Sequence, residues 1–379
     1  MRVVVLGGGL VGGVIARDLA RNGEFEVTVA DVSSEVLGRL AGVAGITTLR
    51  ADLSDPSEVA RVVGGHDLVV GAVPGHMGFA TLKAVIEAGK SVVDISFFPE
   101  DALALDALAR GRGVCAVVDC GVAPGCSNLI LGRMEDEFET VDRFVCYVGG
   151  LPAVRTWPWE YKAPFSPADV LEEYTRPARY VAAGRVVTMP ALSEPELVEF
   201  PGVGTLEAFN TDGLRSLLVT VKVPNMIEKT MRYPGHIEKI RVLRESGFFD
   251  TRPIDVGGAR VRPLDVTSRL LFPSWQFGPG EEDLTAMRVT VEGISTGRSV
   301  RRTFEMVDRF DRTTGTTSMA RTTGFTCTAG VRLVASGLWG RKGVSPPEFL
   351  GRDRRCYDFV VADLAKRGVV FRETTAPLA

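Results

Sequence analysis

Over roughly the first 120 residues, short apolar runs alternate with longer stretches in which apolar positions return every third or fourth residue. The runs RVVVL (2–6), EVTVA (26–30), ITTLR (46–50), DLVVGAV (67–73), SVVDI (91–95) and VCAVVD (114–119) read as strands, and stretches such as LVGGVIARDLARNG read as helices. Strands that are apolar on both faces and alternate with helices predict a parallel sheet covered on both sides. DLSDPSEVARVVGG carries its own helix punctuation: Ser54 or Asp55 as N-cap, Pro56 in the first turn and glycines at the end.

Near residue 122 the pattern changes. DCGVAPGCSNLILG breaks the alternation at Pro124-Gly125, and Ser127 or Asn128 can cap a new helix. Longer runs with alternating polar positions follow: TVDRFVCYVGG, RYVAAGRVVTM, LTAMRVTVEGIS and RSVRRTFEMVDRF. The last two are joined by Thr-Gly and read as an antiparallel hairpin. Helical segments SPADVLEEY and PGHIEKIRVLRES fall between them. From about 317 the chain turns helical again, through TSMARTTGFTCTAGVRLVASGLW and RRCYDFVVADLAKRG, an apolar pair that needs a surface to cover. The predicted fold class is α/β: a Rossmann-type doubly wound parallel sheet formed by 1–121 plus 326–379, with a second α+β domain, 122–325, built on a mainly antiparallel sheet.

Composition narrows the function classes. At 379 residues, 45% hydrophobic, each domain can bury a core of its own. A net charge of −3 supplies no field for nucleic acid or an anionic membrane, and no basic stripe interleaved with aromatics appears. The longest apolar runs fall short of the roughly 18–20 residues of a membrane helix. The N-terminus MRVVVLGGG reads as a strand entering a turn, not as a signal peptide, and the six cysteines (115, 120, 126, 146, 327 and 356) form no CxxC pair. The expectation is a cytoplasmic protein with reduced thiols. With three histidines and no HExxH or paired Cys/His spacing, no metal is expected.

The first strand runs into Gly7-Gly8-Gly9-Leu10-Val11-Gly12, a G-x-G-x-x-G at a strand-to-helix turn. Gly7 permits the tight turn, Gly9 lets backbone approach a pyrophosphate, and Gly12 lets helix and strand pack closely. Leu10 and Val11 open the helix whose free N–H groups meet the phosphates. Asp31 ends the second strand 19 residues after Gly12, where a carboxylate reaches the adenosine ribose diol and repels a 2′-phosphate. NAD is therefore expected over NADP. Asp52, past the third strand, either contacts the adenine end or caps a helix. Ala72-Val73-Pro74 in GAVPGH should lie over the diphosphate, with His76 either facing the site or solvated. Asp94 and Ser96 follow the fifth strand, beside the expected nicotinamide.

GGGLVGG, DIS (94–96), GVAPGCSN (121–128), YVGGLP (147–152), EAFNTDGLRSL (207–217), EKTMRYPGH (228–236) and the late SMARTTGF and GVSPPE together resemble the saccharopine dehydrogenase family, and within it the lysine 6-dehydrogenase branch. The resemblance implies a nicotinamide-binding domain, a second domain that supplies substrate contacts and forms a homodimer, and oxidoreduction at a carbon–nitrogen bond of an amino acid. Within EKTMRYPGH, Arg232 can hold an α-carboxylate in bidentate fashion and His236 can accept the proton of a reacting ammonium. Pro234-Gly235 either bends both side chains into one pocket or merely starts a helix that leaves His236 solvated. Lys162 and Tyr161 in WEYKAPFS, Thr211 and Asp212 opening a helix at TDGL, and Thr322 with Thr323 complete the candidates. The reading is NAD-dependent oxidative deamination of the terminal amine of lysine, releasing ammonia and a semialdehyde that cyclises. One alternative is a saccharopine- or carboxynorspermidine-type enzyme acting on a secondary amine, with Arg155, Arg176 or Arg215 as a second anchor. The other is a non-catalytic NAD-binding sensor or assembly protein.

Overall fold

A computed structural model describes residues 1–378 and builds them around two large sheets. The first is formed by β1 (Arg2–Leu6), β2 (Glu26–Asp31), β3 (Ile46–Arg50), β4 (Leu68–Gly71), β5 (Ser91–Asp94) and β6 (Cys115–Val117), with one strand arriving much later in the chain. All its pairings are parallel. The order β3-β2-β1-β4-β5-β6 is that of a doubly wound nucleotide-binding sheet. Successive residues of β1 explain why its sequence is apolar throughout: Val3 and Val5 feed one core, Val4 and Leu6 the core on the opposite face. Asp55, not Ser54, caps the helix Pro56–Gly64 by accepting the Ser57 N–H. The helix Cys126–Glu137 takes Gly125 as its N-cap, and Ser127 and Asn128 lie buried inside its first turn, where Asn128 Oδ1 reaches back to accept the Gly125 N–H (3.3 Å).

The second sheet comprises β7 (Thr140–Pro152), β8 (Ala178–Ala182), β9 (Arg185–Met189), β10 (Glu196–Phe200), β11 (Gly204–Asn210) and β12 (Asn225–Arg232), then two long strands beyond the small hairpin β13–β14 (Ile254–Val256, Ala259–Val261). These two, β15 (Asp283–Ser295) and β16 (Arg298–Arg309), form the expected hairpin, turned by Thr296-Gly297 with φ of 51° and 71°. Two successive left-handed residues match the right-handed twist of the flanking strands. The sheet is mainly antiparallel, and the exception, β12 beside β7, lies at its centre.

The chain after residue 326 serves both sheets. β17 (Gly343–Ser345) pairs with β6 in the first, and β18 (Arg372–Pro377) pairs with β16 in the second. The helix Ser318–Ala335 lies in one continuous core with β1 and β15. An ionic clasp ties it down: Arg332 binds Asp18, Glu24 and Asp363, and Arg367 binds Asp18 again. Burial tends to raise the carboxyl of Asp18, but the two guanidiniums prevail and hold it low. Among the described residues no helix is long and apolar enough to cross a membrane.

Candidate active site

A cavity of about 410 Å³ opens between the carboxyl ends of the first sheet and the second sheet. One wall is the β1 turn. Gly7 sits at φ 98°, and a Cβ there would run into the carbonyl of Ala72. A Cβ on Gly12 would overlap the carbonyl oxygen of Gly7, whereas one on Gly9 would meet nothing, so Gly9 leaves open space beside the helix start. The helix Leu10–Ala20 has no side-chain cap, and its first N–H groups are available to an anion. Asp31 accepts the N–H of Gly8 (2.8 Å) and of Ser33 (2.8 Å), which aims its carboxylate at the mouth of the cradle. Leu10, Val11, Ala72, Val73 and Pro74 line the same side. These residues fit the pyrophosphate and ribose of a dinucleotide.

Two expected members of this wall do not reach it. Asp52 spends its carboxylate on the N–H and hydroxyl of Ser54 (3.0 and 2.6 Å), which hold it below the usual carboxylate range. Asp94 is buried behind Ser96, accepting its N–H at 2.8 Å, and burial pushes its carboxyl up to about 8, with the nearby Asp119 adding to the shift. Ser96 itself lines the cavity.

The facing wall is made of charged side chains from three places. Along β12 the alternation of a strand puts Glu228, Thr230 and Arg232 on one side, and all three line the cavity. The helix Pro167–Thr175, capped by Ser166, contributes Asp169, Glu172 and Glu173, and Arg176 follows immediately at its end. Their spacing of three, four and seven residues places them on one helix face. Asp119 follows β6 and Asp212 follows β11.

Arg232 is 2% exposed and largely committed: Nη2 donates to Glu173 (2.6 Å), Nε to the Tyr174 hydroxyl (3.1 Å) and Nη1 to its neighbour's carbonyl (3.0 Å). Asp212 is held by a fork from Arg179, and Asp119 by Arg215. Two groups lack such partners. Nη1 of Arg176 is buried and unpaired, although its Nη2 touches Glu172 at 3.3 Å. Oε2 of Glu228 is likewise buried with no donor, and burial, reinforced by Glu173, Asp119 and Asp212, pushes its carboxyl up to about 8.

Several expected substrate contacts stand elsewhere. His236 follows the left-handed Gly235 (φ 88°) and is 1% exposed, behind the wall and not in it. Its Nδ1 faces the carbonyl of Trp159 (2.9 Å), which can only accept, so Nδ1 carries the proton and Nε2 accepts from the Tyr174 hydroxyl (3.0 Å). Burial, helped by Arg232, depresses its pKa to about 3. A histidine that reluctant to charge is a poor proton acceptor and a good support for Tyr174. Tyr161 lies beneath the Arg232 guanidinium, 4.4 Å from its ring centre, with its hydroxyl unpartnered. Lys162 points away to Glu281 (2.6 Å) and the Gln276 carbonyl (3.0 Å). Thr322 is buried, donating back to Ser318 (3.0 Å), and Thr323 lines the cavity in its stead. Thr211 and Asp212 line the cavity as expected, but no helix opens there; the next begins at Leu217. Of the possible second anchors, Arg155 is taken by Glu160 outside the cavity and Arg215 by Asp119.

The sequence carries a signal for Glu228, Asp169, Glu172 and Glu173, which were not among the candidates, and for their place beside Arg232 and Arg176, which were. EKTMR is a run of mostly polar residues in a buried strand, and the two-residue period of a strand puts Glu228, Thr230 and Arg232 on one face. ADVLEEYTR presents Asp169, Glu172, Glu173 and Arg176 at helical spacing.

Comparison with known proteins agrees with this architecture. The saccharopine dehydrogenase NADP binding domain matches residues 3–117, and the saccharopine dehydrogenase C-terminal domain matches residues 121–369. The saccharopine dehydrogenase [NADP(+), L-glutamate-forming] of Schizosaccharomyces pombe is 22% identical over an alignment covering 98% of both chains. The Pyricularia oryzae protein of the same name is 28% identical over 260 residues, covering 65% of this chain and 57% of that protein. The mitochondrial alpha-aminoadipic semialdehyde synthase of Rattus norvegicus is 24% identical over 69% of this chain, which spans only 30% of that longer protein. The apo histidine-tagged saccharopine dehydrogenase (L-Glu forming) from Saccharomyces cerevisiae shares the fold at a TM-score of 0.81, with 21% identity and 99% of each chain covered. With both halves matched in order, the chain belongs to the saccharopine dehydrogenase family.

Proposed function

We propose that this protein is a nicotinamide-dependent dehydrogenase that oxidises the carbon–nitrogen bond at the terminal amine of a basic amino acid such as lysine. The charge of the cavity carries the reading. Asp31, Asp119, Asp169, Glu172, Glu173, Asp212 and Glu228 line it against Arg176 and Arg232 alone. Even with Glu228 protonated and with Arg179 and Arg215 counted from behind, carboxylates predominate. An anionic cavity attracts cations and repels additional anions. Lysine brings two ammonium groups and one carboxylate, and Nη1 of Arg176 is one unspent donor to receive that carboxylate. Saccharopine, a secondary amine with three carboxylates, would need more free cations than the wall offers.

Residues 1–121 and the returning segment from 326, apart from β18, would carry the dinucleotide, and 122–325 the amino acid. The dinucleotide supplies the hydride acceptor. The chain supplies position: Gly7, Gly9 and Gly12 for the pyrophosphate, Asp31 for the ribose diol, Ser96 with Thr211 and Thr323 around the reacting end. Asp31, fixed by two backbone amides, favours NAD, since a 2′-phosphate would meet its charge. The names of the relatives, with NADP(+) and saccharopine in them, support a second reading in which a secondary amine is oxidised with NADP.

The test is reduction of NAD and of NADP, followed by absorbance, with lysine, ornithine and saccharopine, together with an ammonia assay. Lysine-dependent reduction of NAD with equimolar ammonia supports the first reading. Turnover of saccharopine without ammonia would replace it with the second.

A further inference from the structure

Glu228 has the surroundings of a working group, not of a structural one. A buried carboxyl that serves structure normally spends its oxygens on donors, as Asp212 does on Arg179 and Glu173 on Arg232. Glu228 is 4% exposed and keeps Oε2 without a partner. It nonetheless lines the cavity, in the middle of β12, two positions from Thr230 and four from Arg232 on the same strand face. The neighbouring loop makes room for it: a Cβ on Gly213 would overlap Oε1 of Glu228. The groups that face it are Glu173 from the helix Pro167–Thr175, Asp119 after β6, Asp212 and Arg215 from the loop after β11, and the Cys146 thiol on β7. Most are acidic and none donates to it.

We propose that Glu228 is the catalytic base that takes the proton from the substrate's reacting ammonium, a role that rests on the amine-oxidising reading above. An ammonium entering the cavity provides the missing donor. Its N–H bond breaks, and the proton bonds to the Glu228 carboxylate. The freed nitrogen lone pair forms the C=N bond as the electron pair of the adjacent C–H bond leaves, with its hydrogen, for the oxidised nicotinamide. The resulting iminium takes up water and yields aldehyde and ammonium. Glu228 returns its proton to solvent. Carbon is oxidised by two electrons, nicotinamide is reduced by two, and one proton is released. In the free enzyme burial keeps the carboxyl protonated up to about pH 8, and the arriving cation drives that proton off before the step begins. His236, neutral and behind Tyr174, is then a positioning residue for Arg232.

Two measurements on Glu228→Gln test the assignment. In steady state, the wild type should show kcat/KM rising with pH through about 8; the variant should lose about 10²–10⁴-fold in kcat, lose that limb and keep its dinucleotide affinity. Glu228→Asp should retain the limb at reduced kcat, which guards against a variant that merely folds badly. In calorimetry near pH 7, run in buffers of different ionisation enthalpy, lysine binding to the wild type should release close to one proton, and binding to Glu228→Gln none. A wild type that turns lysine over while Glu228→Gln keeps both rate and limb overturns the role of Glu228 alone. A wild type that neither oxidises nor binds basic amino acids overturns the amine-oxidising reading and the assignment together.

Discussion

The two walls of the cavity are made of different material. On the β1 side the contacts are glycines, backbone amides and small apolar residues, with Asp31 as the one charge at its mouth. On the β12 side they are carboxylates and guanidiniums, buried on β12 and half-buried or exposed on the helix Pro167–Thr175, most held by a partner from another element. A wall of backbone is specified by which side chains are missing, whereas a wall of ions is specified by which partners are present. The first should fail sterically and all at once. The second should fail residue by residue and with pH.

The largest expected effect tests the first half of that contrast. Gly12→Val forces a side chain into the Gly7 carbonyl, so dinucleotide binding should vanish and stability should fall by about 1–3 kcal/mol, read by calorimetry and thermal melting. Retained binding would mean that the helix does not pack against the turn as described. Arg176→Met comes next. Loss of a charge-assisted contact of about 1.5–3 kcal/mol should raise KM for the amino acid roughly 10–100-fold while dinucleotide affinity holds, as initial rates and direct titration would show. Equal losses in both would dissolve the distinction between the walls.

His236 gives the charged side a pH signature. Its folded pKa of about 3 lies below the ordinary value near 6.5, so the unfolded chain binds the extra proton between those limits. This contribution to stability is complete above about pH 6.5 and is lost as pH falls toward 3. Denaturant unfolding of the wild type should show this decline, and His236→Gln should flatten it. A smaller effect is expected from Asp31→Ala, which should move the NAD:NADP ratio of kcat/KM about tenfold toward NADP, on the order of 1.4 kcal/mol. Asp52→Ala should change neither cofactor affinity nor rate beyond about twofold, because its carboxylate serves only Ser54.

That contrast also explains what could be read from the sequence. Strands β1 to β6 and the glycine turn follow from period and local order, and β3 falls on the expected residues 46–50. The cradle needed only a strand, three glycines and an acid at a set distance. The opposite wall needed knowledge of which residues meet across the fold. Arg232 was legible as a cation, but its commitment to Glu173, 59 residues away, was not. His236 looked like a base because its residue type is common in that role, yet its burial depends on Trp159 and Tyr174 from other segments. Glu228 and Arg176 were on view in their local periodicities, and only the unpaired Oε2 of the first and Nη1 of the second, a property of the assembled fold, separate them from ordinary ion pairs.

The late arrival of β17 has a consequence for how the protein is made. β6 lies between β5 and β17, and its second neighbour is synthesised some two hundred residues after it. At about 5–20 residues per second, a ribosome would leave the open edge of a nearly finished sheet exposed for roughly 10–40 s. An unpaired edge of that kind is a template for pairing with other nascent chains, so truncated products ending before 343 should be the aggregating species of this protein. Synthesis itself therefore sets the window in which a chaperone has to shield the nucleotide-binding half.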